Sequence, residues 1–131
     1  MAIATRRKSR YVDLVREVLT RHGHATNSEI AAILRQTYPR ISDTTVHRIT
    51  QRLIHDGECV YGPVLPSGVK RYDGNLLPHD HFECSCCHTL RDLTLPAEVR
   101  RQIEYELKGC TLDGQLLIIG NCHKCKQKEE V

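Results

Sequence analysis

Two pairs of cysteines with C-x2-C spacing form the strongest chemical pattern in this 131-residue chain. They are Cys84/Cys87 and Cys122/Cys125. This spacing lets one tight turn direct two thiolates at one ion, and two such turns complete the tetrahedral four-thiolate arrangement of structural zinc. The alternative interpretation is two chance pairs of reduced thiols. The sequence therefore predicts a four-cysteine site that binds Zn(2+).

Two histidines with one residue between them, His79 and His81, precede the first cysteine turn. In an extended segment this spacing places both imidazoles on one face, where they could bind a second ion. Glu83 follows on the same face, so a zinc-dependent hydrolase with Glu83 as its base is an alternative. No nucleophile motif or substrate-cleft sequence supports that alternative, and we expect the chain not to be an enzyme.

The composition limits the class of protein. The net charge of +3 is compatible with nucleic acid as a partner but is not evidence for it. We find no apolar run of membrane-spanning length and no signal peptide, and we therefore expect a cytoplasmic protein without a membrane partner. Cysteines stay reduced in that compartment. We expect Cys59 and Cys110 to be small core residues in strands, and Cys86 to be a spare exposed thiol.

Three helices are predicted in the first half of the chain. The first has an apolar stripe that begins at Tyr11 and ends near Gly23. The second is capped by Thr26 or Asn27, buries residues up to Tyr38 and is stopped by Pro39. The third, capped by Ser42, continues to residues 56–57. Residues 1–10 are predicted to form a basic arm, with a solvated terminus as the equal alternative.

The outward face of the third helix carries side chains suited to base edges and phosphates. A hairpin follows it, with strands over 59–65 and 69–72 and a turn at 66–68. Three helices and a hairpin of this kind predict a winged helix-turn-helix, although the same face could be an ordinary solvated surface. The candidate DNA-contacting residues are Thr44, Thr45, His47, Arg48, Gln51 and Arg52.

The predicted fold class is α+β, with an N-terminal winged helix-turn-helix followed by a small α/β dimerisation domain that holds the four-cysteine zinc site. We place the DNA-binding domain at 1–73, a hinge at 74–78 and the dimerisation domain at 79–131. In the last of these we expect strands over 80–84, 89–93 and 111–119, a helix over 96–108, and a charged, disordered tail from Lys126. Open sheet edges favour a homodimer. A zinc-ribbon adaptor that binds protein rather than DNA is the alternative.

These motifs resemble the Fur (ferric uptake regulator) family of bacterial metalloregulators over about residues 11–125. The resemblance is carried by Ser42-x-x-Thr45-Val46-His47-Arg48, Arg71-Tyr72-Asp73, His79-x-His81 with Cys84-x2-Cys87, and Gly120-x-Cys122-x2-Cys125. It implies a homodimer that binds a palindromic double-stranded DNA operator in its metal-loaded form and represses transcription.

The resemblance also implies a regulatory metal site between the two domains. Its ligands match His24, Asp73, His79, His81 and Asp92. Three imidazoles and two carboxylates without sulfur suit Fe(2+) or Mn(2+), and Zn(2+) is able to occupy the same ligands in vitro. The set is most similar to the peroxide-sensing branch, in which oxidation of His24 or His79 would release DNA. The alternative is an iron- or manganese-responsive repressor without peroxide sensing.

Two departures from the family pattern concern individual residues. His47 stands where the family usually has a DNA-contacting tyrosine, which leaves the operator sequence open. At a third metal site found in many relatives, Pro78 and Gly114 replace the usual histidines, leaving Asp80 as the one candidate ligand. We predict that this third site is absent or weak.

Overall fold

The computed structural model describes residues 9–129, which fall into two units divided between Leu76 and Leu77. The first eight residues of the predicted basic arm lie outside the described residues, as do the last two residues of the predicted tail. No described helix is both long enough and apolar enough to cross a membrane.

The N-terminal unit contains three helices, α1 (Ser9–His22), α2 (Asn27–Arg35) and α3 (Asp43–His55). Thr26 is the N-cap of α2 and forms a capping box with Glu29, while Ser42 caps α3. The prediction that α2 continues to Pro39 is wrong, because the helix ends at Arg35 and turns at 36–37. A residue before proline is disfavoured in the helical conformation, so the chain leaves the helix before Tyr38.

A small antiparallel sheet completes this unit. Its strands are β1 (His24–Ala25), β2 (Val60–Tyr61) and β3 (Tyr72–Asp73), in the order β1-β3-β2. The predicted hairpin is β2–β3, with much shorter strands than expected, and β1 was not predicted. Beyond the strands the hairpin continues through isolated bonds such as Gly62 N–H to Arg71 O (3.0 Å).

One hydrophobic core joins the three helices and this sheet, so the elements that carry the candidate DNA-contacting residues have fixed positions in the unit. The core is mainly aliphatic, as the scarcity of aromatic residues requires. Its buried members are Val12, Val15, Val18, Leu19, Ala25, Ile30, Ala31, Leu34, Ile41, Val46, Ile49, Leu53, Cys59 and Tyr72.

The C-terminal unit is built on a second three-stranded sheet. Its elements are β4 (Asp80–Cys84), β5 (Leu90–Leu93), α4 (Ala97–Glu106), β6 (Leu117–Gly120) and α5 (His123–Glu129). The sheet order is β5-β4-β6, with β4 antiparallel to β5 and parallel to β6. Cys84 and Cys125 are the only buried hydrophobic residues in the described part of this unit.

Several predicted boundaries in this unit are wrong. Pro96 is the N-cap of α4 and not its first residue, since its ψ of 151° is extended. The last strand begins at Leu117 and not at Thr111, because Asp113 and Gly114 belong to a turn-forming stretch.

Two further predictions, for the leftover cysteines and for the tail, are wrong in whole or in part. Cys110 is exposed and lies outside any strand, and Cys59 is buried but precedes β2. The tail expected to be disordered from Lys126 forms α5 as far as Glu129, because its lysine and glutamine residues are good helix formers. In that helix His123 Nε2 lies 3.0 Å from Gln127 Nε2, one turn away.

Candidate metal centres and nucleic-acid interface

The four predicted zinc ligands come together in the C-terminal unit, with their sulfur atoms all within 4.8 Å of one another. Cys84 ends β4, Cys87 lies in the following turn, Cys122 follows β6 and Cys125 lies in α5. The Sγ atoms of Cys87 and Cys122 are 3.8 Å apart. Tetrahedral zinc with Zn–S bonds of about 2.3 Å places its sulfurs about 3.8 Å apart. The arrangement therefore fits a structural Zn(2+).

The electrostatics of this cluster also favour a bound cation. The backbone N–H groups of Cys87 and Cys122 donate to Cys84 Sγ and lower the pKa of that thiol to about 6. The hydroxyl of Thr89, 3.1 Å from Cys87 Sγ, is the main cause of a lowered pKa at Cys87. The adjacent sulfurs of Cys122 and then Cys86 instead raise the pKa of Cys125. Four thiolates can coexist at this distance only if an ion neutralises them.

A second group of candidate ligands, His79, His81 and Asp92, also converges in the C-terminal unit. In the β4–β5 register His81 faces Asp92, and His79 lies two residues earlier along the chain. Asp92 Oδ1 is 3.6 Å from His79 Nε2 and 3.4 Å from His81 Nε2. Ligand atoms about 2.1 Å from one ion lie about 3.0 to 3.5 Å apart. The His81–Asp92 distance lies within this range and the His79–Asp92 distance is slightly longer, so the three side chains are candidate ligands of one ion.

The hydrogen bond of His79 sets its tautomer. Its Nδ1 lies 2.6 Å from the carbonyl oxygen of Leu77, which can only accept, so Nδ1 carries the hydrogen. The lone pair is then on Nε2, the atom that faces Asp92. A backbone carbonyl behind a histidine ligand is a common means of orienting the imidazole toward a metal.

The other two predicted ligands, His24 and Asp73, are cross-strand partners in the N-terminal unit, in β1 and β3. Gly23, with φ of 79°, ends α1 and turns the chain into β1, while Gly74 N–H donates to Gly23 O (3.1 Å). A Cβ atom at Gly74 would lie 3.2 Å from Leu19, a close approach that favours glycine there. The backbone N–H of Asn75 donates to Asp73 Oδ1 (2.9 Å), which orients the buried carboxylate.

The candidate DNA-contacting residues lie along α3, but they differ in exposure. Thr44, His47 and Arg48 are exposed, whereas Thr45, Gln51 and Arg52 are half-buried. Thr45 is tied to the Ser42 cap, and Arg52 Nε lies 3.7 Å from Asp56 Oδ2.

Sequence reasoning missed several residues around this surface. A cavity of about 440 Å³ beside α3 is lined by Asn27, His47, Gln51, Lys70 and Tyr72 among others. Gln51 Nε2 donates to the Tyr72 hydroxyl at 2.9 Å. Asn27, Lys70 and Tyr72 were not predicted to lie beside α3, because no local sequence pattern shows that their segments meet that helix.

Asp80, the remaining candidate for a third metal site, has protein partners instead. Its Oδ1 accepts from the guanidinium of Arg100 and from Leu116 N–H, both at 2.9 Å. Arg100 also donates to Gly114 O at 2.8 Å. A guanidinium thus occupies one of the carboxylate's oxygens; that a metal site here is absent or weak stays a prediction.

Comparison with known proteins gives consistent results. The sequence model of the ferric uptake regulator family matches residues 4–118. The chain is 26% identical to the peroxide-responsive repressor PerR of Staphylococcus aureus strain USA300 over 117 residues, which cover 88% of this chain and 78% of that protein.

Solved structures are similar over most of the chain. The ferric uptake regulator Fur of Helicobacter pylori, described with three functional metal-binding sites, has a TM-score of 0.70 and 25% identity, covering 96% of this chain and 88% of that one. The peroxide stress regulator of Campylobacter jejuni has a TM-score of 0.67 and 23% identity, covering 95% of this chain and 98% of that one. The second similarity supports the fold alone.

Proposed function

Because the chain belongs to the ferric uptake regulator family, we propose that it is a peroxide-sensing repressor loaded with Fe(II) or Mn(II). Members of the family are dimeric, DNA-binding transcription regulators rather than enzymes, and this chain is a metal-dependent repressor of that kind. Its similarity to a peroxide-responsive repressor supports the choice of signal. We place its action in the cytoplasm, where DNA is accessible.

The observation that carries this proposal is the ligand chemistry outside the four-cysteine cluster. His79, His81 and Asp92 converge in one unit, and His24 and Asp73 pair in the other. None of the five residues supplies sulfur, and a mixed imidazole and carboxylate set is suited to Fe(II) or Mn(II). We assign all five to one regulatory site.

The mechanism follows from ligands on both sides of the proposed hinge at 74–78. An ion held by residues of the DNA-binding domain (1–73) and of the dimerisation domain (79–131) favours the one arrangement in which all five ligands can bind it. A shift from mostly inactive to mostly active protein requires about 5.5 kcal/mol of differential binding. Loss of a single ligand would remove much of that difference.

Peroxide would act by destroying one ligand. Fe(II) held by these residues would supply the redox chemistry that activates hydrogen peroxide. In the net reaction one peroxide oxygen would be added at an imidazole C–H of His24 or His79, and the other would leave as water. The hydrogen bond from His79 Nδ1 to Leu77 O keeps Nε2 as the metal-binding atom of that imidazole. Oxidation at either histidine changes its donor properties and should release DNA.

The C-terminal unit supports homodimerisation. Among its described residues few apolar side chains are buried, and α4 buries none. The edge strand β6 exposes Leu117, Ile118 and Ile119, and Tyr105 of α4 is 76% exposed. Pairing with a second copy would cover such an edge and its apolar surface. A two-fold dimer would then present two α3 helices to a palindromic operator.

The experiment is to treat full-length protein, loaded with Fe(II) or with Mn(II) without oxygen, with hydrogen peroxide. We expect both forms to bind duplexes selected from a randomised pool. The Fe(II) form should lose DNA binding and gain one oxygen on the His24 or His79 peptide, whereas the Mn(II) form should resist. His24→Ala should abolish metal-dependent binding, and His22→Ala, which removes an exposed neighbouring imidazole, should not.

Two outcomes contradict the proposal at different levels. Metal-dependent DNA binding that persists after peroxide, with no added oxygen, would make the protein an iron- or manganese-responsive repressor. Absence of metal-dependent DNA binding would instead favour the zinc-ribbon adaptor and reject repression itself.

A further inference from the structure

Asn27 lies at the start of α2, but its carboxamide does not cap that helix. Thr26 occupies the capping position and bonds Glu29 in both directions. The Asn27 side chain instead reaches α3, where its Nδ2 lies 3.1 Å from His47 Nδ1. Its Oδ1 accepts a hydrogen bond of 2.7 Å from the hydroxyl of Thr50. Asn27 therefore connects two positions of α3 that are one turn apart.

These contacts define the hydrogen positions on His47. Thr50 is completely buried, and its hydroxyl bonds Asn27 Oδ1 and, at 3.1 Å, the His47 carbonyl oxygen. In the structure the carboxamide oxygen faces Thr50 and the amino group faces His47. An amino group only donates, so Nδ1 of His47 accepts and its hydrogen is on Nε2.

We propose that Asn27 is a positioning residue for sequence reading, which it serves by holding the exposed His47 as an Nε2–H donor. The inference rests on the proposed role of α3 in binding DNA. A donor at this position would select an acceptor on a base edge in the major groove, such as N7 or O6 of guanine, N7 of adenine or O4 of thymine. Gln51, in contrast, is held by tyrosine hydroxyls and does not depend on Asn27.

The first test measures the tautomer directly, without DNA. Nitrogen NMR of the imidazoles in zinc-loaded, full-length protein should show His47 with hydrogen on Nε2, its signal being assigned among the eight histidines with His47→Ala. Asn27→Ala should abolish this preference. Asn27→Asp offers only acceptors, so it should transfer the hydrogen to Nδ1. Wild-type His47 with hydrogen on Nδ1, or a tautomer unaffected by either variant, would overturn the positioning role.

The second test measures recognition. Wild-type protein loaded with Mn(II) first selects duplexes from a randomised pool, and each variant is then titrated with a selected duplex and with its scrambled form. Asn27→Ala should weaken the affinity for the selected duplex about fivefold to tenfold, which corresponds to the loss of one hydrogen bond. The affinity for the scrambled duplex should not change. Gln36→Ala, which removes an exposed carboxamide from the far end of the same helical segment, should leave both affinities unchanged.

A double-mutant cycle separates positioning from a general loss of structure. In the His47→Ala background, Asn27→Ala should have no further effect on selected-duplex binding. An equal loss in both backgrounds, or an equal loss on both duplexes, would overturn the inference while leaving metal-dependent repression intact. If wild-type protein selected no sequence, the proposed DNA-binding function itself would fail, whereas the NMR result would still report the Asn27–His47 contact.

Discussion

The seven cysteines show how strongly one residue type depends on its surroundings. Cys84 is buried beside two N–H donors, which stabilise its thiolate and lower its pKa to about 6. Cys59 is also buried, but burial alone dominates there and raises its pKa to about 11. Cys86 and Cys110 are exposed. The pKa of Cys84 and that of Cys59 therefore differ because of the groups around each sulfur.

We predict that iodoacetamide at pH 7.5 modifies Cys86 and Cys110 in zinc-loaded protein and leaves Cys59 unmodified. The thiolate is the reactive form, and Cys59 is both 2% exposed and protonated at this pH. Mass spectrometry of the digested protein would identify the labelled peptides. Urea-unfolded protein is the control, because there Cys59 should also react. Rapid labelling of Cys59 in the folded protein would contradict its buried position.

At the scale of elements, β4 holds most of the chemistry of the C-terminal unit. It carries His81, pairs with β5 to bring Asp92 opposite, and ends at Cys84. Its first residue, Asp80, connects to α4 through Arg100. The side-chain contacts of α4 include this ion pair, the Arg100–Gly114 bond and a bond from Leu112 N–H to Glu104 Oε2 (2.7 Å). Polar contacts therefore position a helix that buries no residue.

We predict that Asp80→Asn lowers the free energy of unfolding of the C-terminal unit by about 1 to 3 kcal/mol, because it removes the charge from buried hydrogen bonds. Burial raises the pKa of Asp80, but Leu116 N–H and Arg100 outweigh it and the net pKa is lowered below 3.8. A carboxylate with a lowered pKa stabilises the fold at pH values above its pKa in the unfolded chain. This stabilisation is lost as the pH falls through its pKa in the folded protein. The stabilisation is therefore fully present at pH 7.

Urea unfolding of zinc-loaded protein at pH 7, followed by hydrogen exchange of residues 97–106, measures this effect. Asp113→Asn is the matched control, since Asp113 is exposed in the loop before β6 and should change stability by less than about 0.5 kcal/mol. Equal stability of the two variants would show that the Arg100–Asp80 pair does not hold α4.

At the scale of the whole molecule, the two units obtain their stability from different sources. The N-terminal unit has an aliphatic core shared by three helices and a sheet. The described part of the C-terminal unit has Cys84 and Cys125 as its only buried hydrophobic residues, and both are candidate zinc ligands. A small unit without a core commonly depends on a metal or a partner subunit, and this unit is suited to both.

Removal of zinc should therefore unfold the C-terminal unit and leave the N-terminal unit folded. Structural zinc contributes its binding free energy to folding, so chelation, or Cys122→Ser, should abolish hydrogen-exchange protection across residues 80–120 while α1 to α3 stay protected. Light scattering should show conversion of dimer to monomer. Cys110→Ser is the matched control and should retain both zinc and dimer. A zinc-free protein that stays protected and dimeric would contradict this dependence.

Most of the elements and much of the chemistry could be predicted from the sequence. The C-x2-C pairs predicted the thiol cluster, because the spacing itself brings two sulfurs together within one turn. The cap at Ser42 and the strand over Asp80–Cys84 were also correct, and Thr26 is one of the two caps predicted for α2, since each has a local pattern. His79 and His81 were predicted as a ligand pair from their spacing, whereas His24, Asp73 and Asp92 depended on resemblance, and Asp92 has no local signal at all.

What the sequence determined by itself is thus the set of donor atoms and the local structure that each short segment can adopt. Only the tertiary structure decided which of these atoms meet. The β4–β5 register brings Asp92 to His81, and the two-residue strand β1 brings His24 to Asp73. Packing of α2 on α3 brings Asn27 to His47. The physical reason is that pairing between distant segments is selected by register and by burial of the whole core. A strand of two residues has no periodicity from which its partner could be predicted.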